Sequence, residues 1–328
     1  MDETDVVIIG GGPAGLSALA HCLRLNLAIY LITQYFGGKT NFRLKLPFVE
    51  SDGFASGQEI VQRLREQVRV HQVPHSLGRV DHLEDDQGRL LVTGEGFDPI
   101  RTGAAILATG ALPQRLDVPG EREFIMRGLA YSTAWYAPLF AGRTVAVVGT
   151  SARALRSASD MARVAHKVFL IGPTAVDVRR AGGPALDQAS GVTLLPDYKV
   201  DSLEGTDFVE QVIVSKGSST QCLDVDGVFI MQALEPKSDS VAGLVERTDD
   251  GFVKVDCRCR TSHPRIFAAG DVTDGLGEQV YIALGDGAKA AYSAYESLLS
   301  AQGGLRPAQD RPTGRLGQRG PGPHNGHK

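Results

Sequence analysis

The sequence predicts an α/β chain of two three-layer domains, one inserted into the other. Three observations carry this. A buried-strand pattern runs into a glycine turn and then a helix in "DVVIIGGGPAGLSALAHCLRL". The same succession returns in "RTVAVVGTSARALRSASDMARVAHKVFLIG". A final strand and helix, "RTSHPRIFAAGDV" and "QVYIALGDGAKAAYSAYESLLS", follow that second run. With 328 residues the chain has room for about two domains.

Taken in order, Val6 to Ile9 is apolar without alternation, as in a parallel strand covered on both faces. The helix from Ala14 places Leu16, Leu19, Ala20 and Leu23 on one stripe. "LAIYLIT" is the next strand. "SGQEIVQRLREQVRVHQV" is an amphipathic helix opened by a Ser56/Glu59 capping box. "RVDHLEDDQGRLLVTG" predicts a hairpin turning at Gln87-Gly88, and "GAAILATG" another buried strand. "ALPQRLDVPGERE" is linker-like. The second strand–turn–helix and short strands through "VDGVFIMQALEPKSD" make the inserted domain. The first domain is expected to take residues 1–115 and 243–300, and the inserted one 116–242. Residues 301–328 are rich in Gly, Pro and Arg without apolar period and predict a disordered tail.

Net charge is −4, which excludes a broad nucleic-acid or anionic-membrane footprint. Asp2, Glu3 and Asp5 stand where a signal peptide carries basic residues, and no apolar run approaches the length of about 20 needed to span a bilayer. Cys22, Cys222, Cys257 and Cys259 are too few for a secreted disulfide scaffold. These features predict a soluble cytoplasmic protein.

Gly10-x-Gly12-x-x-Gly15 lies directly between strand and helix. In that setting the first glycine makes the tight turn, the second lets backbone approach a pyrophosphate, and the third lets helix and strand pack closely. The helix start through Pro13 and Ala14 offers unpaired N–H groups to an anion. An acidic ribose ligand is usual about 20 residues on; Thr33 stands there, with a weaker hydroxyl. Both domains therefore read as Rossmann-like nucleotide-binding folds. In the second, Gly149 is kept, Ala154 fills the third glycine's role, and Ser151 replaces the middle glycine, where its Cβ crowds an approaching pyrophosphate.

"DVVIIGGGPAGLSA", "FGGK", "LATGALPQ", "VDGVF", "RTSHPRIFAAGDV" and "EQVYIALGDGAKAA" recur in order across nearly all of residues 1–300. In these the chain resembles the pyridine nucleotide-disulfide oxidoreductases, and most closely the low-molecular-weight thioredoxin reductases. The resemblance implies FAD in the first domain, with Gly10, Gly12 and Gly15 at its pyrophosphate. It implies cofactor contacts from Gly38 and Lys39, from Ala108, Thr109 and Gly110, and from Gly270. Asp271 would bond the ribityl and phosphate region, and Gln279 and Val280 would meet the isoalloxazine through backbone groups. It also implies a homodimer. The chain departs from the family at Lys45-Leu46, where an Asn stands near the flavin. It departs again at Gly172-Pro173, where a basic pair binds the NADPH 2′-phosphate; Arg179 and Arg180 come later and read as a solvated face.

A third departure is "GLAYSTAWYAPLF", residues 128–140, where the resemblance places Cys-x-x-Cys. Ser132 and Trp135 cannot exchange disulfides. Trp135 reads either as a core or interface anchor or as a stacking partner for an aromatic cofactor. Cys257-x-Cys259, on an expected strand, would put both side chains on one face with Cα atoms about 6.5 Å apart, at the outer edge for a disulfide. Arg258 and Arg260 would favour thiolate, so the pair is the candidate redox centre; the alternative is two unpaired cysteines packed on a strand face. Cys22 and Cys222 are expected as inert core thiols. The combination looks like the diflavin-linked disulfide oxidoreductase branch, in which a second FAD takes the place of NADPH. The leading expectation is an FAD enzyme exchanging electrons with a thiol or small redox protein without NADPH. The alternatives are an NAD(P)H- or ferredoxin-linked flavin reductase and a non-enzymatic FAD-binding sensor.

Overall fold

A computed structural model describes residues 2–49, 57–174 and 191–300. Ser56 of the expected capping box, Arg179, Arg180 and the tail after residue 300 lie outside them. In chain order the elements are β1 (Asp2–Gly11), α1 (Pro13–Arg24), β2 (Ile29–Phe36), α2 (Gly57–Val70), β3 (His75–Leu77), β4 (Arg79–Asp86), β5 (Arg89–Glu95) and β6 (Ile100–Leu107). Then come β7 (Ala111–Pro113), α3 (Glu121–Phe124), β8 (Leu129–Ala130), β9 (Thr144–Val148), α4 (Ala152–Ala162), β10 (Lys167–Gly172) and β11 (Val192–Pro196). The chain closes with β12 (Lys199–Gly205), β13 (Val209–Lys216), β14 (Ser219–Asp224), β15 (Gly227–Ile230), β16 (Leu234–Pro236), β17 (Ile266–Ala268) and α5 (Val280–Ser300).

The chain divides into two compact units. The first takes described residues 2–41, 57–111 and 236–300; the second takes 42–49, 112–174 and 191–235. The crossings at 111/112 and 235/236 come earlier in the chain than the expected 115/116 and 242/243. Residues 42–49 join the second unit because Leu44 and Leu46 bury in its core with Phe140 and Leu155.

In the first unit the sheet order is β3-β2-β1-β6-β5-β4, with β17 also on β6. β6 is shared: Ile100 to Thr102 pair antiparallel with β5, and Ala105 to Leu107 pair parallel with β17. Val6, Val7 and Ile8 are fully buried, as a strand covered on both faces requires. Val6 and Ile8 pack with Leu16 and Leu19 of α1; Val7 packs on the other side with Leu90 and Val92. Burying Leu16 or Leu19 stabilises the unit by roughly 1.5–3 kcal/mol each. The β4–β5 hairpin turns where expected, with both Gln87 (φ 49°) and Gly88 (φ 85°) left-handed, the two-residue turn whose twist suits paired strands. Helix α5 lies against α1: a Cβ on Gly287 would sit 2.0 Å from the Ala14 carbonyl oxygen, so only glycine permits the approach. Ser17 Oγ donates to Leu284 O at 2.6 Å across the same contact.

The second unit repeats the plan with a parallel sheet, β11-β10-β9-β15-β8, and adds an antiparallel sheet, β12-β13-β14. Cys222 lies on β14 with its side chain exposed, which corrects the expectation of a core thiol; Leu223 is the inward neighbour there. Among the described residues no helix is long and apolar enough to cross a membrane.

Candidate functional site

In the first unit β1 connects to β2 on one side and lies against β6 on the other, so the strand order reverses between β1 and β6. Ligands of open α/β sheets bind beyond the carboxyl ends of strands at such a point. Three of the sequence-predicted segments converge there: Gly10 to Gly15 at the end of β1 and into α1, Ala108 to Gly110 after β6, and Gly270-Asp271 after β17. Gly10 has φ 117°, and a Cβ on it would lie 2.2 Å from the Ala108 carbonyl oxygen. A Cβ on Gly15 would lie 1.9 Å from the Gly10 carbonyl oxygen. Gly12 differs: nothing stands within 4 Å of a Cβ built there, and as N-cap of α1 it offers no side-chain hydrogen bond. Pro13 occupies the first turn, where a missing N–H is tolerated. With open space at Gly12, the remaining N–H groups of that first turn suit the approach of a diphosphate. Gly110 is likewise open around its missing Cβ.

The other predicted residues are partly committed. Thr33 is buried and its Oγ1 donates to Tyr35 O at 2.7 Å, so toward a ribose it can only accept. Thr109 Oγ1 donates to Lys237 O at 2.5 Å, and Lys237 N–H donates to Gly110 O at 3.0 Å. The Gln279 carbonyl accepts from Ala283 N–H at 2.9 Å, which sets Gln279 at the start of α5 just ahead of Val280. Lys39 Nζ lies 2.5 Å from Asp271 Oδ2 and 3.2 Å from Glu278 Oε2. Burial would pull the Lys39 ammonium down, but the two carboxylates outweigh it and hold it above its ordinary value. Sequence reasoning missed Glu278 as part of this cluster.

The second unit repeats the reversal between β9 and β15. Gly149 keeps the tight turn, and a Cβ on it would lie 2.5 Å from Met231 O. The difference is at the N-cap of α4: Ser151 Oγ accepts from Ala154 N–H at 3.4 Å. The helix end that should face a pyrophosphate is capped by its own side chain.

Residues 4–287 match the pyridine nucleotide-disulphide oxidoreductase family. The chain belongs to that family. It is 30% identical over 306 residues to an alkyl hydroperoxide reductase component of Pseudomonas aeruginosa, covering 91% of this chain and 59% of that protein. It is 29% identical over 305 residues to an NADH dehydrogenase of Ferdinandcohnia aciditolerans, covering 91% of this chain and 58% of that protein. The chain thus spans less than two thirds of the length of these curated relatives. The thioredoxin reductase of Streptococcus pyogenes superposes with a TM-score of 0.81 at 28% identity, over 91% of this chain and 99% of that one. The fold, with two Rossmann-like nucleotide-binding domains, is that of thioredoxin reductase structures.

Set in this oxidoreductase family, residues 128–140 comprise β8, a tied-down loop and a short helical turn over Ala137–Phe140. Thr133 Oγ1 donates to Ser157 Oγ of α4 at 3.0 Å, and Arg153 Nη2 donates to Tyr131 O at 2.6 Å. Trp135, two residues after Thr133, is half-buried. The expected strand at Cys257 and Cys259 is corrected: Asp256 to Cys259 form a turn closed by Cys259 N–H on Asp256 O at 2.9 Å. The Asp256 carboxylate accepts from the N–H groups of Arg258 and Arg260, which bends the chain, and Cys259 sits at φ 61°. Cys257 is exposed and Cys259 is buried, both as free thiols. Burial, then Asp286, pushes the Cys259 thiol up to about 12, so the flanking arginines do not create a thiolate at Cys259. Cys22 is buried as expected and is also pushed up to about 12, by burial first and then by Asp5.

Two outcomes follow from these thiols. At pH 8 iodoacetamide is expected to label Cys222 and Cys257 in the folded chain, and Cys22 and Cys259 only after unfolding. Because folding favours the protonated form of the two buried thiols, their stabilisation is present below the unfolded value of about 8.5 and is lost as pH rises toward 12. The slope is roughly 1.4 kcal/mol per pH unit per thiol. Urea midpoints from pH 8 to 10.5 check it; a flat profile contradicts it.

Proposed function

We propose that the chain is an FAD-dependent oxidoreductase that holds its flavin at the first cradle and works without NADPH on the second. Its partner in this reading is external, a small redox protein or a low-molecular-weight thiol, and the working form is a homodimer. The observation that carries the reading is the contrast between two equivalent helix ends: Gly12 open and uncapped, Ser151 closed by its own hydroxyl. Gly172-Pro173 at the end of β10 adds no cation for a 2′-phosphate.

Bound at the first cradle, FAD would supply two-electron redox chemistry. The chain's own residues do the holding. Gly10, Gly12 and Gly15 let backbone approach the diphosphate, and the α1 N–H groups bind it. Thr33 accepts from the ribose. Asp271 and Lys39 would hold the sugar–phosphate region, and the backbone at Gln279 and Val280 would meet the ring end. Cys259 lacks the exposure and acidity an exchange thiol needs, so the Cys257/Cys259 pair is not the relay in this reading.

Anaerobic mixing with excess NADPH is expected to leave the flavin absorbance unchanged over minutes; bleaching within seconds overturns the reading. Dithiothreitol bleaching that persists in Cys257→Ser and Cys259→Ser supports an external thiol, and its loss in both would reinstate the pair. Extracted FAD is expected at one per chain. A ratio near two would support a second flavin, with Trp135 as its stacking surface.

A further inference from the structure

We propose that Lys39 is the counter-charge that lets this site retain FAD, leaving a clasp with Asp271 and Glu278 to meet the cofactor's diphosphate when it binds. The inference rests on the FAD reading above.

The placement comes from packing. Lys39 follows Gly38, whose missing Cβ would stand 3.3 Å from Gly12 Cα, so its stem begins beside the uncapped end of α1. Asp271 follows Gly270, whose missing Cβ would stand 3.0 Å from Ala14 Cβ, on the first turn of the same helix. One ammonium thus lies between two carboxylates, at 2.5 Å and 3.2 Å, beside the cradle. These three side chains together carry one net negative charge where a dianion must dock. Two carboxylates repel a diphosphate unless a cation lies between them and it. A lysine suits that exchange, because its flexible stem carries a point charge with three rotatable donors. When Lys39 turns to the phosphates, Asp271 is freed as an acceptor for sugar hydroxyls. Glu278 then competes with FAD for Lys39. It holds the turn Gly38–Asn41 to the segment ahead of α5, in which Leu276 is 81% exposed.

The test titrates FAD into deflavinated wild type, Glu278→Gln, Lys39→Gln and the double variant, following flavin fluorescence, with the melting temperature of each apoprotein as a control for folding. Removing the competitor in Glu278→Gln is expected to tighten binding by about threefold or more. Lys39→Gln is expected to weaken it by about tenfold or more, and the double variant to recover most of that loss. Affinity within about twofold of wild type in Lys39→Gln, or a loss that Glu278→Gln does not relieve, overturns the proposal. If Lys39→Gln does not fold, unchanged affinity in Glu278→Gln alone overturns it. Wild type that binds no FAD overturns the FAD reading itself, an outcome distinct from the others.

Discussion

Gly12→Ser is expected to leave the apoprotein folded and to lower its FAD affinity at least about tenfold. The second unit already shows that serine fits this geometry. Gly12 has φ −80° and ψ −174°; Ser151, at the same place in the repeated plan, has φ −80° and ψ 164°. Space around Gly12 is free, so the new Cβ meets no atom within 4 Å. Its hydroxyl should cap α1 as Ser151 caps α4, and apoprotein stability should stay within about 1 kcal/mol of wild type or rise. The same atoms would fill the volume a phosphate needs. Gly15→Ser is the contrast: its Cβ would fall 1.9 Å from the Gly10 carbonyl oxygen, so stability itself should fail. Calorimetry of both apoproteins beside flavin titration separates the cases. Unchanged FAD affinity in Gly12→Ser would remove the cradle from the account.

The second large effect concerns Glu121, which is fully buried in the second unit. Its Oε2 accepts from Asp117 N–H at 2.6 Å, and its Oε1 accepts from Leu116 N–H at 3.2 Å and Tyr131 O–H at 2.8 Å. Burial, then the bond to Glu121, raises the Tyr131 phenol above its ordinary value. Glu121→Ala strands three donors at once and is expected to destabilise the unit by about 3 kcal/mol or more, read as a lower urea midpoint. Glu121→Gln should cost less, about 1–2 kcal/mol, because a flipped amide still accepts from Asp117 and donates to Tyr131. Equal losses in both would mean that volume rather than hydrogen bonding sets the effect. The damage should extend to the loop 128–140, since Arg153 fastens Tyr131 O and Gln232 O to α4.

Much of the fold was legible because local chemistry demanded it. Glycines at Gly10 and Gly88 answer backbone conformations that other residues resist, and the Val6–Ile9 run answers a strand covered twice. The first cradle was legible for the same reason. What escaped was set by tertiary context. "ALPQRLDVPGERE" has a linker's composition, yet Glu121 inside it is an anchor that only long-range partners reveal. The Cys257-Arg258-Cys259 run suggests a strand until the Asp256 carboxylate is credited with turning the chain. That signal was present, since Asp often caps a turn through backbone N–H groups two residues on. Ser151 has bulk that its spacing makes plain, and its position ahead of a helix also announces a cap. Lys39 and Glu278 stand far apart in sequence, and no spacing rule joins them.

The pairing of β17 with β6 and the packing of α5 on α1 also govern assembly during synthesis. Ribosomes deliver the amino end first, and domains fold as units as they emerge. The opening strand–turn–helix is made early, but Gly270, Asp271 and α5 leave the exit tunnel only after the whole inserted unit. A nascent chain stopped before β17 would carry the glycine cradle with one wall missing. Under the FAD reading, the cradle can close on its cofactor only after β17 and α5 have joined the strands made before the inserted unit.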